Sequence, residues 1–148
     1  MLIIAIILFL ALNVVSASEV SVSGNFTNLN DAISSPNVDT ILLKNNITLQ
    51  ESEDFEKGII IDKNLTIDGQ GYTIDAKSIN GKYSSVFTIS SNSNVILKNL
   101  IIKNARRDYG GAIYSDYSSN LTLINCTFNS NQALSLTEGK GGAILAYG

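Results

Sequence analysis

Hydrophobic residues in this chain fall into short aliphatic or β-branched runs, and an asparagine opens each of the clearest ones. Four such runs begin at Asn46, Asn64, Asn94 and Asn120, with spacings of 18, 30 and 26 residues. Asparagine favours turns, and a short run of alternating apolar residues favours a strand. Self-similarity at periods of this size indicates a solenoid, in which each strand stacks on its equivalent in the next coil.

The last two repeats also match beyond the shared run. Residues 95–102 and 121–128 align without a gap, so Asn99 and Asn125 occupy the same point between two strands. We interpret both asparagines as structural turns, because asparagine tolerates the left-handed backbone conformation that a sharp bend requires. Stacked in successive coils, their side-chain amides are expected to hydrogen-bond to each other.

Each of these repeats leads into the sequence Gly-Gly-Ala-Ile. Two adjacent glycines allow positive φ angles at which other residues are strained, and we interpret each pair as a bend before a short strand. Neither pair has the spacing of a phosphate-binding loop or a following helix, so no nucleotide site is expected. The four glycines are Gly110, Gly111, Gly141 and Gly142.

The order of strand, asparagine, strand, polar loop, glycine pair and strand predicts an all-β fold, a right-handed parallel β-helix. Alternation along one strand places Leu121 and Leu123 inside and Thr122 outside. One helix is predicted at residues 28–35, with Asn28 as its N-cap, and it would cover the first coil. No similar lid follows the last repeat, so the C-terminal end is expected to be truncated and to meet continuing coils or a capping partner.

The N-terminal residues have the pattern of an export signal. An apolar stretch from Met1 to Val15 is followed by small residues at which a signal peptidase would cut. This stretch is shorter than the roughly 20 residues that a membrane-spanning helix needs. We therefore predict a signal peptide at residues 1–17, a secreted or cell-surface β-helix repeat domain at residues 18–148, and no transmembrane span after cleavage.

Composition removes several classes of function. The net charge is -3, whereas nucleic-acid-binding proteins usually carry a basic patch, so no nucleic acid partner is expected. The chain has no histidine and a single cysteine, Cys126, which excludes a Ser-His-Asp triad, a Cys-His pair and a histidine-based zinc site within it. We interpret Cys126 as a small core residue. We expect no catalytic residue, no metal and no cofactor.

Acidic residues leave one enzymatic alternative open. Asp62, Asp68 and Asp75 each follow a predicted strand, and Arg106 and Arg107 lie downstream. A cluster of these residues would be similar to the sites of β-helix polysaccharide lyases, a resemblance that implies carboxylates holding calcium and a basic residue that removes a proton. Turn formation explains the same three aspartates without a metal, and we favour that interpretation.

Two further kinds of surface site are candidates. Five triplets match the Asn-x-Ser/Thr acceptor pattern, and Asn25 is the least obstructed candidate for N-glycosylation. Tyrosines lie near the Gly-Gly-Ala-Ile runs, and aromatic faces often hold sugars or partner proteins. Tyr109, Tyr114 and Tyr117 therefore form a candidate binding face, with Tyr147 near the second run.

Several segments together point to a known family. FTNLNDAISS, NLTIDGQGYTIDA, NVILKNLIIKN and GGAIY resemble the N-terminal part of adhesin-like surface proteins of methanogenic archaea. Phe128–Asn131 with Gly141–Ile144 is similar to the repeats of chlamydial polymorphic outer membrane proteins. The resemblance implies a pectin-lyase-like β-helix after the signal peptide. Function then has to be argued from sites, since such a fold hosts enzymes, adhesins and passive stalks.

The expected function is that of a cell-surface or secreted adhesin-like module without enzymatic activity. A rigid β-helix would display variable loops, at residues 106–109 and 132–140, to glycans or to surface proteins of other cells. One alternative is a polysaccharide-active, pectate-lyase-like enzyme or its relic. Another is a non-catalytic glycan-binding module.

Overall fold

The computed structural model describes residues 18–77, 82–135 and 140–147. The predicted signal peptide and part of the predicted loop at residues 132–140 lie outside these ranges. The described residues contain fifteen short strands and one helix. Their bounds are β1 Ser18–Val22, α1 Phe26–Ser34, β2 Val38–Leu43, β3 Ile47–Thr48, β4 Ile59–Ile61, β5 Leu65–Asp68, β6 Thr73–Asp75, β7 Phe87–Ile89, β8 Asn94–Lys98, β9 Ile101–Lys103, β10 Arg106–Arg107, β11 Ile113–Ser115, β12 Asn120–Ile124, β13 Thr127–Asn129, β14 Gln132–Ala133 and β15 Ile144–Ala146.

The strands stack into parallel ladders. The first sheet has the order β1-β2-β5-β8-β12, the second β3-β6-β9-β13 and the third β4-β7-β11-β15. All pairings in these sheets are parallel, and a short parallel ladder joins β10 to β14. β1 and β2 both belong to the first sheet, and from β2 onward successive strands belong to different sheets, so that each successive coil adds a strand to each sheet. This arrangement is a parallel β-helix, which confirms the predicted fold class.

The core lies between the three sheets and is built from equivalent positions in successive coils. Ile67 pairs with Leu97 in the first sheet, and Ile74 pairs with Ile102 in the second. All four side chains are fully buried. Burying each one stabilises the fold by roughly 1.5–3 kcal/mol. Columns of stacked aliphatic side chains are therefore a main source of stability.

One predicted repeat does not belong with the others. Asn64, Asn94 and Asn120 line up in the first sheet, and hydrogen bonds of 2.9 and 2.8 Å from Nδ2 to Oδ1 link them in a row. The run after Asn46 forms β3 instead, which pairs with β6 at the edge of the second sheet. The interpretation of Asn46 as an equivalent position is wrong, because 18 residues are too few for a coil that elsewhere takes 26 or 30.

The helix α1 covers the first coil, but it begins earlier than predicted. It packs against β1 to β4 and buries Phe26, Leu29 and Ile33. Its N-cap is Asn25, so the predicted N-cap, Asn28, is wrong. Asn25 Oδ1 accepts a hydrogen bond from Asn28 N at 3.2 Å, and Asn28 Oδ1 accepts one from Asn25 N at 3.0 Å. This reciprocal pair fixes the helix start and brings Phe26 into the core.

The coil that contains β12 is less covered than the coil before it. Leu123 pairs with the fully buried Leu97, but Leu123 itself is 38% exposed. Thr122 is exposed, as predicted, and Leu121 is half-buried. The prediction that Leu123 is buried is wrong, because β12 is the last strand of the first sheet in the described part of the chain. Cys126 is half-buried against the core, with Sγ 3.3 Å from Leu97 O.

Candidate binding surface

The two glycine pairs occupy equivalent bends but have different surroundings. Gly110 and Gly141 have φ angles of 59° and 62°, which an L-residue with a side chain rarely adopts. A Cβ atom on Gly111 would lie 2.5 Å from both Gln132 O and Gly142 O, whereas one on Gly142 would have no atom within 4 Å. Gly110 and Gly141 are required by conformation, and a Cβ atom on either one would also clash with the backbone of its own bend, at Ile113 O or Ile144 O. The pairs differ at the second glycine, because only Gly111 is packed against the next coil.

The two predicted turn asparagines form a hydrogen-bonded ladder. Asn99 and Asn125 have φ angles of 52° and 51°. Asn125 Nδ2 donates to Asn99 Oδ1 at 2.9 Å, and Asn99 Nδ2 donates to Asp68 Oδ1 at 3.1 Å. Each amide satisfies the polar group of the coil before it, so these side chains are committed to the scaffold.

Asp68 and Asp75 lie at two different bends, and each carboxylate has the same kinds of partner, a lysine and a backbone N–H. Asp68 faces Lys98 Nζ at 3.1 Å, and Asp75 faces Lys103 Nζ at 3.2 Å. The backbone N–H two residues on donates to each carboxylate at 3.0 Å. Burial raises the pKa of Asp68, but hydrogen bonds from Gln70, Asn99 and Lys98 outweigh it and lower that pKa below its usual value. Both carboxylates thus act as turn formers and ion-pair partners.

The remaining groups of the lyase alternative lie elsewhere. Asp62 follows β4 of the third sheet and is exposed. Arg106 and Arg107 form β10, and Arg107 is directed to the third sheet, where it contacts Thr88. Among the described residues, no group of three or more His, Cys, Asp or Glu side chains is arranged to hold a metal ion. The structure therefore does not bring the three aspartates and the arginines into one site.

Three tyrosines meet on the outer side of the third sheet, and we call them the aromatic cluster: Tyr114, Tyr117 and Tyr147. In β11 the neighbours of Tyr114 are buried, so Tyr114 points outward. The rings of Tyr117 and Tyr147 stack with centroids 4.7 Å apart, and Tyr114 meets Tyr147 edge-on at 5.9 Å. Both distances are favourable for aromatic pairs. The three rings therefore support one another as a packed aromatic surface.

Arg107 fixes one side of the aromatic cluster. Its guanidinium carbon lies 5.0 Å from the ring centroid of Tyr114, and Nη1 donates to Thr88 Oγ1 at 2.8 Å and to Lys57 O at 3.3 Å. Burial lowers the pKa of Arg107, against the opposing effect of Tyr114 and nearby carboxylates, and an arginine remains charged in proteins. Burial and the Asp116 carboxylate raise the pKa of Tyr114, so its phenol is neutral at neutral pH.

Tyr109 does not join the other two predicted tyrosines. Its backbone pairs with Lys140, and its hydroxyl accepts a hydrogen bond from Ser135 Oγ at 3.5 Å. The third member of the cluster is Tyr147 instead, which contacts both Tyr114 and Tyr117. Aligning the two Gly-Gly-Ala-Ile runs puts Tyr147 opposite Asp116 in the next coil, one position from Tyr117, so this contact was accessible from the sequence. Nothing in the repeat indicates the contact between Arg107 and Tyr114.

Asn25, the predicted acceptor for N-glycosylation, is the helix N-cap. Its oxygen accepts the hydrogen bond from Asn28 N, whereas a glycan would be attached through its side-chain nitrogen. Two other acceptor triplets differ, because Asn120 and Asn125 use their side-chain nitrogens as donors to the preceding coil. Modification at Asn25 stays a prediction.

These observations define the class of protein as a parallel β-helix, with polar side chains that hold its bends and the aromatic cluster on its outer side. A family model described as "Putative pectate lyase-like adhesive domain" matches residues 19–135. The chain belongs to this family. Comparison with curated proteins and with solved structures finds no significant match. In the described ranges, no helix is long and apolar enough to cross a membrane.

Proposed function

We propose that the chain is a non-catalytic adhesive module, displayed at the cell surface or secreted, which binds glycans or proteins of other cells. The family match over residues 19–135 is the observation that carries this proposal. The expected signal peptide and the resemblance to surface proteins of methanogenic archaea support placement outside the cell. The β-helix supplies a rigid body, and its outer face and loops supply the contacts.

The use of the acidic groups also supports a role without catalysis. Asp68 and Asp75 each pair with a lysine and accept a backbone hydrogen bond. A calcium-dependent lyase needs several carboxylate oxygens that converge on one ion. In this chain those oxygens are used to hold bends. The polysaccharide-active enzyme and its relic remain the alternatives to be tested.

Two assays test this function. Antibodies against residues 18–148 should label intact cells of the source organism, and labelling only after permeabilisation would contradict surface display. The purified chain should release no unsaturated products from polyuronates in the presence of calcium. Turnover that disappears on Asp68→Asn or Asp75→Asn would establish the enzymatic alternative.

We also propose that further β-helix coils or a capping partner cover the edge formed by β12. Leu123, whose equivalent Leu97 is fully buried, is 38% exposed, and exposed edge strands commonly pair with another chain or segment. Analytical ultracentrifugation tests this in the isolated chain. Concentration-dependent association that Leu123→Lys abolishes would support a coverable edge, and a strictly monomeric chain at high concentration would oppose it.

A further inference from the structure

The most exposed large apolar side chain in the described residues belongs to the aromatic cluster. Tyr117 is 61% exposed. Because Tyr147 stacks on one face of its ring at a centroid distance of 4.7 Å, the solvent-facing area of Tyr117 is its other face. Tyr147 is in turn held edge-on by Tyr114. The open ring face is therefore fixed in place before any ligand arrives.

Asp116, the residue before Tyr117 in the chain, supplies hydrogen-bonding capacity next to the aromatic cluster. Asp116 Oδ1 accepts from Tyr117 N at 2.8 Å, and Asp116 Oδ2 accepts from Ser91 Oγ at 3.2 Å. Each carboxylate oxygen can accept further hydrogen bonds, since an ionised carboxylate offers about four acceptor positions. The carboxylate is thus oriented by its own backbone and by the neighbouring coil, with acceptor capacity left over.

We propose that the aromatic cluster with Asp116 is a glycan-binding site, in which a neutral pyranose ring stacks on Tyr117. The C–H face of a pyranose is apolar and flat, like the ring face that Tyr117 presents, and its hydroxyl groups are donors suited to Asp116. This inference rests on the adhesive function proposed above and names its ligand class.

Charge and size favour a neutral sugar over the other candidates. The positive charge of Arg107 is opposed by Asp108 and Glu56, and Asp116 adds a further negative charge beside Tyr114. An acidic sugar therefore meets no net positive site. A protein partner is also disfavoured, because three rings cover far less than the roughly 20–30 residues that one side of a stable interface has.

Binding can be followed without a label. The chain has six tyrosines and no tryptophan, so stacking on Tyr117 should change its tyrosine fluorescence. The probes are soluble oligosaccharides of glucose, mannose, galactose and xylose, with oligogalacturonate as the acidic comparison. We expect saturable binding to at least one neutral probe. Binding to oligogalacturonate alone, or to no probe, would overturn the site.

Matched variants test which tyrosine carries the binding. Tyr117→Ala should weaken binding at least about tenfold, while Tyr117→Phe, which keeps the ring, should stay within about threefold. Tyr72→Ala is the control. Tyr72 is also exposed, at 37%, but it lies between β5 and β6 and outside the aromatic cluster. Unfolding midpoints of all variants should match that of the native chain, which separates loss of binding from loss of folding.

Cell adhesion distinguishes failure of this site from failure of the proposed function. If Tyr117→Ala adheres to cells as strongly as the native chain, the site assignment is wrong and the adhesive function stands. If the native chain adheres to no cell surface and binds no probe, both are wrong. Adhesion that the neutral oligosaccharide inhibits and that Tyr117→Ala lacks supports both.

Discussion

Two successive coils carry the same sequence pattern and yet differ in what their residues do. In the coil of β8, Leu97 is fully buried between Ile67 and Leu123, while in the coil of β12, Leu123 covers Leu97 and is itself 38% exposed. The repeat sets the register, but the presence of a coil on both sides sets the burial. The contribution of a residue to the free energy of unfolding should therefore depend on whether its coil has a neighbouring coil on both sides.

The glycine pairs show the same difference. Gly111 has the carbonyl oxygens of Gln132 and Gly142 within 2.5 Å of where a Cβ would lie, and both belong to the next coil. Gly142 has no described coil above it. Equivalent substitutions in the two coils are thus internal controls for each other, because local backbone conformation is shared and only the covering coil differs.

The largest expected difference is between Leu97→Ala and Leu123→Ala. Truncation of a fully buried leucine leaves a cavity and typically costs about 2–5 kcal/mol of unfolding free energy. Leu123→Ala should lower the unfolding free energy by about 1 kcal/mol or less, because Leu123 is partly exposed and solvent can fill the space that its side chain leaves. Urea unfolding measures both. Equal losses would contradict the proposed dependence on stacking.

Gly111→Ala and Gly142→Ala should differ next most. The added methyl on Gly111 forces the two coils apart, and overpacking of this kind typically costs about 1–3 kcal/mol. Gly142→Ala should change the unfolding free energy by no more than about 0.5 kcal/mol. Thermal unfolding of the two variants side by side is the measurement. If Gly142→Ala is destabilised as much as Gly111→Ala, the covering coil does not account for the cost of the added methyl group.

Asn99→Ala and Asn125→Ala should differ by a smaller amount. Both place alanine at a positive φ, so the backbone strain cancels in the comparison. Asn99 makes side-chain bonds to Asp68 and to Asn125, whereas Asn125 makes only the one to Asn99 among the described residues. One extra lost bond should make Asn99→Ala less stable by about 1 kcal/mol. Asn99→Gly, which removes the strain, should recover part of the loss.

The smallest effect is the pH dependence contributed by Asp68. Its pKa is lower in the folded state than in the unfolded state, so it adds stability above its unfolded pKa of about 3.9 and loses it as the pH falls through the folded value. Asp68→Asn should therefore flatten the loss of stability that sets in as the pH falls below about 4. Asp62→Asn, at an exposed position, is the matched control. An unchanged acid limb in Asp68→Asn would show that the hydrogen bonds from Gln70 and Asn99 and the ion pair with Lys98 together add no stability through the Asp68 carboxylate.

Much of the fold could be predicted from the sequence, because residues that pair between successive coils occupy equivalent positions in the sequence repeat. The turn residues Asn99 and Gly110 stood out for the same reason. The position of Asn46 was misassigned because a run of apolar residues after asparagine fits any of the three sheets, and only the spacing tells them apart. Leu123 was misjudged because alternation reports the direction of a side chain and not what covers it.

The candidate site was less accessible, since it is assembled between coils. The contact between Tyr117 and Tyr147 follows from aligning the two Gly-Gly-Ala-Ile runs, because β11 pairs with β15 in the same register. The contact of Arg107 with Tyr114 crosses from the short ladder to the third sheet. This second contact depends on how far each outward side chain reaches, and a repeat pattern carries no information on that.

Hydrogen exchange of the native chain, with and without a saturating neutral oligosaccharide, tests the central claim that stack position governs stability while binding uses only the outer face. The amides of β8 should exchange much more slowly than those of β12 and should not respond to the sugar. New protection should be confined to the segment around Tyr117 and to Tyr147. Equal protection of β8 and β12, or sugar-induced protection at the Asp68 and Asp75 bends instead, would contradict the account.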